Sequence, residues 1–167
     1  VPWGRSFDEY CRMFSLSDDD LARRILGCGD GPASFNAQAT RRGAAVISSD
    51  PIYQWDDTQI RERIAVTYDQ ILDQTRRYAD EFVWGSIASV DELGAIRMAA
   101  MEEFLVDYSR RKADGRYLAA GYRFGPAVGN IGECFICSFT RFRISSAPSM
   151  SFAISPFVRA GRSSPRC

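Results

Sequence analysis

The stretch Ile25-Leu26-Gly27-Cys28-Gly29-Asp30-Gly31-Pro32-Ala33-Ser34-Phe35 holds the densest chemical signal in the chain. A short apolar run meets glycines at 27, 29 and 31, and a helix-compatible segment follows. Glycine tolerates positive φ and lets backbone come close to a ligand. A strand that ends in such a bend and feeds a helix aims several N–H donors, and the positive end of a helix dipole, at one spot. Pro32 suits a first helical turn, where a missing N–H costs little. Asp50 stands nineteen residues after Gly31, at the end of a second apolar run, Ala44-Ala45-Val46-Ile47. An acid about 20 residues beyond a glycine bend, at the tip of the next parallel strand, is placed to accept hydrogen bonds from ribose hydroxyls. The bland alternative is a tight strand-to-helix turn with Asp50 an ordinary surface acid.

The surrounding pattern says which elements hold these residues. Ser6 with Glu9 fits a capping box, and Phe7, Tyr10, Cys11 and Phe14 share one helical face. Ser17 with Asp20 caps a second short turn. A strand over about 24–27 leads into the bend. A helix over about 32–42 follows, closed by Gly43. Its return to a second strand implies a parallel βαβ unit, the nucleoside half of a Rossmann-type site. After Asp50-Pro51-Ile52-Tyr53 the next strand is delayed. Asp57 is expected to cap a helix over about 58–82, with Ile60, Ile64, Tyr68, Ile71, Leu72, Thr75 and Phe82 on one face. Phe82-Val83-Trp84-Gly85 closes it. Ser89 with Glu92, another capping box, opens a helix over about 90–112 carrying Leu93, Ile96, Ala100, Met101, Phe104, Leu105 and Tyr108. Gly115 ends it, and residues 116–120 read as strand three. A helical hairpin over 54–115 thus stands where a crossover of about a dozen residues would suffice. It reads either as a thicker outer layer or as a cover and substrate wall over the crevice at the strand ends. Trp55, Tyr68 and Trp84 read as packing residues rather than stacking platforms. The acids along 56–81 read as a solvated face.

Bulk properties narrow the classes. The 167 residues suit one α/β domain with a real core. Lysine plus arginine equals aspartate plus glutamate, 21 each, so no global field favours nucleic acid or an anionic membrane. No apolar run approaches the roughly 18 residues of a spanning helix, and no secretory signal opens the chain; a soluble, cytoplasmic protein is the expectation. There is no histidine, which removes the usual general base at neutral pH and any Ser-His or Cys-His pair. The five cysteines are odd in number and scattered, so they suggest no disulfide framework. Cys134-Phe135-Ile136-Cys137 is a lone C-x-x-C whose apolar spacers suggest a strand; a zinc site would lack partners, and no metal is expected.

Gly27-Cys28-Gly29-Asp30-Gly31-Pro32-Ala33-Ser34-Phe35-Asn36 followed by Ser49-Asp50-Pro51-Ile52-Tyr53 resembles a class I S-adenosylmethionine-dependent methyltransferase, of a bacterial group assigned by similarity. Pro2-Trp3-Gly4-Arg5-Ser6, Asp80-Glu81-Phe82-Val83-Trp84 and Arg97-Met98-Ala99-Ala100-Met101-Glu102-Glu103-Phe104 resemble it too, so the likeness covers about residues 1–120. The resemblance implies a Rossmann-like parallel sheet with S-adenosylmethionine at the first two strand ends. It gives Gly27, Cys28, Gly29, Asp30 and Gly31 to the turn beside the methionine moiety, Asp50 to the ribose, and Pro51 and Ile52 to the adenine side. Many such enzymes carry an acid where Gly27 stands, which leaves Asp30 as the neighbouring carboxylate. The sulfonium is an activated donor, so such a protein mainly aligns an acceptor and excludes water. No catalytic base is named.

Past Ala120 the resemblance ends. Residues 1–120 carry 20 acids and 15 bases, whereas 121–167 carry one acid, Glu133, and six arginines. The expected layout is a partial Rossmann-like domain over 1–121, interrupted by the hairpin and truncated in its C-terminal half, then a basic, poorly ordered segment over 122–167. That segment reads as a frameshifted or foreign C-terminus, or as a basic tail for an acidic partner. The expected function is methyl transfer to a small-molecule acceptor. The alternatives are a non-catalytic remnant or interaction module and, behind it, a nicotinamide-dependent oxidoreductase. Against the last, Ser34 stands where a third glycine would let helix and strand pack closely.

Overall fold

The computed structural model describes residues 2–82 and 84–119 in full, and beyond them the strands Cys134–Cys137, Phe142–Ser145 and Ala153–Ile154 as backbone. Val83 and the rest of 120–167 lie outside the described residues, and with them most of the expected basic tail. The fold mixes helices with a sheet, as an α/β reading requires. Among the described residues the helices are α1 (Phe7–Phe14), α2 (Asp18–Leu21), α3 (Phe35–Arg41), α4 (Asp57–Arg77) and α5 (Val90–Arg111). The strands are β1 (Arg24–Cys28), β2 (Ala45–Ser49), β3 (Tyr117–Leu118), β4 (Cys134–Cys137), β5 (Phe142–Ser145) and β6 (Ala153–Ile154).

The strands form one sheet in the order β3-β2-β1-β4-β5-β6. β1 pairs in parallel with β2 and with β4, and β2 in parallel with β3. β5 and β6 add antiparallel strands beyond β4. The chain therefore builds outward from β1 on one side, through β2 and β3, and returns to its other side at β4. The C-x-x-C pair is β4, a strand as its apolar spacers suggested.

Local signals explain most element ends. Ser6 and Glu9 form a reciprocal capping box at α1, and Ser17 and Asp20 form another at α2. Gly43 sits at φ 93° just after α3, where a left-handed residue ends a helix. Several boundaries differ from expectation. α3 begins at Phe35, because Pro32 and Ala33 belong to the bend, not to the first turn. Asp56 caps α4 in place of Asp57: its carboxylate takes the Gln59 N–H, and Gln59 answers the Asp56 N–H. α4 stops at Arg77, and Phe82 is 49% exposed rather than part of the buried face. At α5 the Ser89 hydroxyl accepts from the Glu92 N–H, but the Glu92 carboxylate turns to the Ala88 N–H, so the box is half made.

Two apolar clusters hold the elements together. One joins α1, β1, α3 and β2 through Phe7, Tyr10, Phe14, Ile25, Phe35 and Val46. The other joins the 51–54 turn, α4, α5 and β3 through Tyr53, Ile60, Ile64, Met101, Phe104, Tyr108 and Tyr117. Tyr53, Phe104, Tyr108 and Tyr117 meet ring to ring at centroid separations of 5.0–5.9 Å. Such pairs contribute about 0.5–1.5 kcal/mol each beyond burial. The Arg61–Glu102 and Arg76–Asp91 ion pairs fasten the two ends of the hairpin and mark α4 and α5 as antiparallel.

Candidate functional site

The bend after β1 is shaped by two left-handed glycines, Gly29 at φ 69° and Gly31 at φ 57°. Few other residues adopt that conformation without strain. The Gly29 N–H donates to the Ser49 carbonyl at 2.8 Å, which ties the tip of β1 to the tip of β2. The Asp50 side chain completes the tie. One carboxylate oxygen accepts the Gly31 N–H at 2.9 Å and the other accepts the Ile52 N–H at 2.8 Å. Asp50 thereby fixes the bend and caps the short helical turn Pro51–Gln54 at once. Tyr53 donates its hydroxyl to the Gly31 carbonyl at 2.8 Å. Burial, reinforced by the negative charges of Asp30 and Asp50, pushes the Tyr53 phenol well above its ordinary range, so that hydroxyl stays a donor.

Asp30 is folded inward and 6% exposed. Its carboxylate accepts the Tyr10 hydroxyl at 3.0 Å and the Ser48 hydroxyl at 2.6 Å. Ser48 in turn accepts from the Asn36 amide at 3.1 Å, and Asn36 accepts from Arg116 at 3.1 Å. Arg116 pairs with Asp107 at 2.6 Å. A continuous polar chain therefore runs from the bend under the sheet edge to α5. The space for Asp30 exists because residue 27 is glycine. A Cβ on Gly27 would stand 2.0 Å from an Asp30 carboxylate oxygen. The Asp30 carboxylate thus fills the volume that a side chain at position 27 would need.

These residues open on a cleft of about 1050 Å³ at the carboxyl ends of β1 and β2. Of the sequence-predicted site residues, Gly29, Asp30, Gly31, Asp50, Pro51 and Ile52 line it. Gly27 and Cys28 do not: Gly27 lies beneath Asp30, and the Cys28 side chain is buried at 3% exposure. The bend and the Asp50 carboxylate therefore face one shared hollow. Among the described residues no heavy atom stands within 4 Å of where a Cβ on Gly31 would lie, so that side of the bend is open.

The remaining walls come from the N-terminal segment, which no sequence pattern marked, and from α4 of the hairpin, one of whose two readings was a wall over the crevice. Pro2, Trp3 and Arg5 supply one, and Trp55, Gln59, Glu62, Arg63, Val66 and Thr67 supply the other. The N-terminal segment docks tightly: the Ser34 N–H donates to the Arg5 carbonyl at 3.0 Å, and a Cβ on Gly4 would strike the Pro32 carbonyl oxygen at 1.9 Å. Trp3 meets Tyr68 of α4 at 5.9 Å between ring centroids. The available signals were Gly4 beside a tryptophan and the i, i+3, i+4, i+7 spacing of 59, 62, 63 and 66. Glu62 belongs to the acids along 56–81 that read as a solvated face, yet it lines the cleft.

Over 120 residues the chain is 32% identical to an uncharacterized protein of the archaeon Methanocaldococcus jannaschii, an alignment covering 71% of this chain and 53% of that protein. The chain spans about half the length of the relative it matches. No family model and no solved structure matches the chain. Among the described residues no helix is long and apolar enough to cross a membrane.

Proposed function

We propose that the cleft binds S-adenosylmethionine in a Rossmann-like half-site and serves methyl transfer to a small-molecule acceptor. The observation that carries this reading is the joint placement of the glycine bend and the Asp50 carboxylate on one cleft at the strand ends. Strand order also reverses about β1, and ligands of parallel sheets gather where the order reverses. The residues present suit the cofactor. A carboxylate offers about four acceptor positions, and the two backbone N–H bonds to Asp50 leave others for the two hydroxyls of a ribose. The open side of Gly31 permits close approach of a ligand to the backbone. Asp30 and Asp50 make this end of the cleft favourable to a sulfonium and an ammonium group.

When bound, the cofactor supplies an activated methyl group for in-line transfer. The protein's own work is alignment and exclusion of water. Asp50 orients the nucleoside while holding the bend. Tyr53, kept protonated, holds the Gly31 carbonyl through its hydroxyl. Pro51 and Ile52 offer an apolar edge to a base. The N-terminal segment and α4 wall the cleft. Asp30 accepts from two hydroxyls, which hold its carboxylate in place beside the bend.

Calorimetric titration tests the reading. S-adenosylmethionine and S-adenosylhomocysteine are expected to bind, and NAD is not. Asp50→Asn replaces one acceptor oxygen by an NH2 that faces a backbone donor, and should weaken binding tenfold or more. Absence of binding by both S-adenosyl compounds, or an unchanged affinity in a folded Asp50→Asn variant, overturns it.

A further inference from the structure

α4 divides its residues between two faces. Ile60, Ile64 and Leu72 are buried on the side that packs on α5. Gln59, Glu62, Arg63, Val66 and Thr67 line the cleft on another side. The backbone of Trp55, just before the helix, is held by three hydrogen bonds. Its carbonyl accepts the Tyr108 hydroxyl at 2.7 Å and the Lys112 ammonium at 2.9 Å, and its N–H donates to the Ile52 carbonyl at 3.1 Å. The Arg63 guanidinium lies over the Trp55 indole, 3.7 Å from a ring centroid. Arg63 makes no ion pair among the described residues.

A guanidinium laid on an aromatic face is held in orientation while its in-plane N–H groups remain available. Its planar fork matches the two oxygens of a carboxylate. Apolar surface adjoins it: the Trp55 ring, and Val66, which is 79% exposed despite its type. Glu62 lines the same wall and brings a negative charge to it, so this wall disfavours a guest with two negative charges. The carboxylates Asp30 and Asp50 belong to the sheet edge, the opposite part of the lining.

We infer that this wall is the acceptor subsite of the cleft, and that it takes a small monocarboxylate with an apolar or aromatic body. Arg63 holds the carboxylate, and Trp55 and Val66 cover the apolar part. The term acceptor rests on the methyl-transfer reading; the carboxylate site itself does not.

The experiment follows tryptophan fluorescence and calorimetry of the whole chain with acetate, phenylacetate, phenylacetamide and phenyl phosphate, beside a parallel titration with S-adenosylhomocysteine. Phenylacetate should bind at least tenfold tighter than acetate, phenylacetamide or phenyl phosphate. Arg63→Gln should weaken phenylacetate tenfold or more, and Arg63→Lys by less, while both leave S-adenosylhomocysteine affinity within twofold. Arg63 is exposed, so both variants should keep the wild-type melting curve. The subsite is overturned if phenylacetate does not bind, if phenylacetamide or phenyl phosphate matches it, or if Arg63→Gln binds it as the wild type does. Failure of that kind alongside normal S-adenosylhomocysteine binding sinks the subsite alone. Arg63-dependent phenylacetate binding without S-adenosylhomocysteine binding keeps the carboxylate site and sinks methyl transfer.

Discussion

Gly27 lacks a side chain because Asp30 occupies that volume. The two residues act as one unit: the glycine makes room, and the carboxylate uses the room to collect Tyr10 and Ser48. Gly31 has a different reason to be glycine, its φ of 57° in open space. Gly27→Ala should therefore expel Asp30 from its partners, with an overpacking cost of about 1–3 kcal/mol and stranded hydroxyls in addition. Gly31→Ala meets no atom and should cost only the left-handed conformation, about 1–2 kcal/mol. Urea denaturation of the two variants separates these causes when each is combined with Asp30→Ala. That second change should relieve Gly27→Ala and leave the Gly31→Ala cost as it was; equal costs in both backgrounds would show that Asp30 is not what fills the space.

At the scale of elements, α1 and α5 are joined by a pair that their patterns did not announce. Arg97 stands on the apolar face of α5, is 7% exposed, and forms an ion pair with Glu9, the capping-box acid of α1. Its Nε finds no hydrogen-bond partner among the described residues. Burial raises the Glu9 carboxyl, but the Arg97 guanidinium and the Ser6 N–H outweigh it and hold Glu9 below its ordinary value. A carboxylate lowered by folding stabilises the protein above its unfolded value, and that contribution fades as pH falls through the folded one. Arg97→Met leaves Glu9 buried without its cation and should cost about 3–5 kcal/mol near neutrality. Burial then favours the protonated form, so the deficit should shrink as the pH falls from about 7 to about 4. Denaturation curves across that range check it; a deficit that stays constant would mean that the pair contributes packing and no charge.

The cap residues, by contrast, were legible, since a capping box depends only on residues three apart. Ser6 and Ser17 behaved as their spacing implied, and Ser6→Ala should cost about 1 kcal/mol, read from a shift in the urea midpoint. At α4, two adjacent aspartates offered equivalent caps, and Gln59, not any residue type at the cap itself, selected Asp56.

For the molecule as a whole, what could be read in advance was the part that one chain segment writes alone. The bend, its parallel neighbour strand and the acid at that strand's tip follow from local spacing and the short reach of a βαβ unit. The other walls of the cleft arise only when remote segments dock. Trp3 and Arg5 reach it because Gly4 lets the backbone lie on Pro32, and Arg63 reaches it because α5 claims the opposite face of α4. The docking of the N-terminal segment leaves no periodic mark, and the spacing of 59, 62, 63 and 66 marks one helical face without saying what that face meets. The cleft is bounded by three separate parts of the chain, so a ligand seated in it should stabilise the whole fold and not one loop. At a concentration of 100 times its dissociation constant, a ligand specific for the folded state adds about 2.7 kcal/mol. For a chain of this size each kcal/mol raises the melting temperature by roughly 2–4 °C. S-adenosylhomocysteine should therefore raise it by about 5–10 °C, with near-ultraviolet dichroism from the aromatic cluster and far-ultraviolet dichroism from the helices moving together. NAD should produce no shift. Equal shifts with both would assign the cleft to the adenosine they share and remove the basis for preferring methyl transfer over hydride transfer.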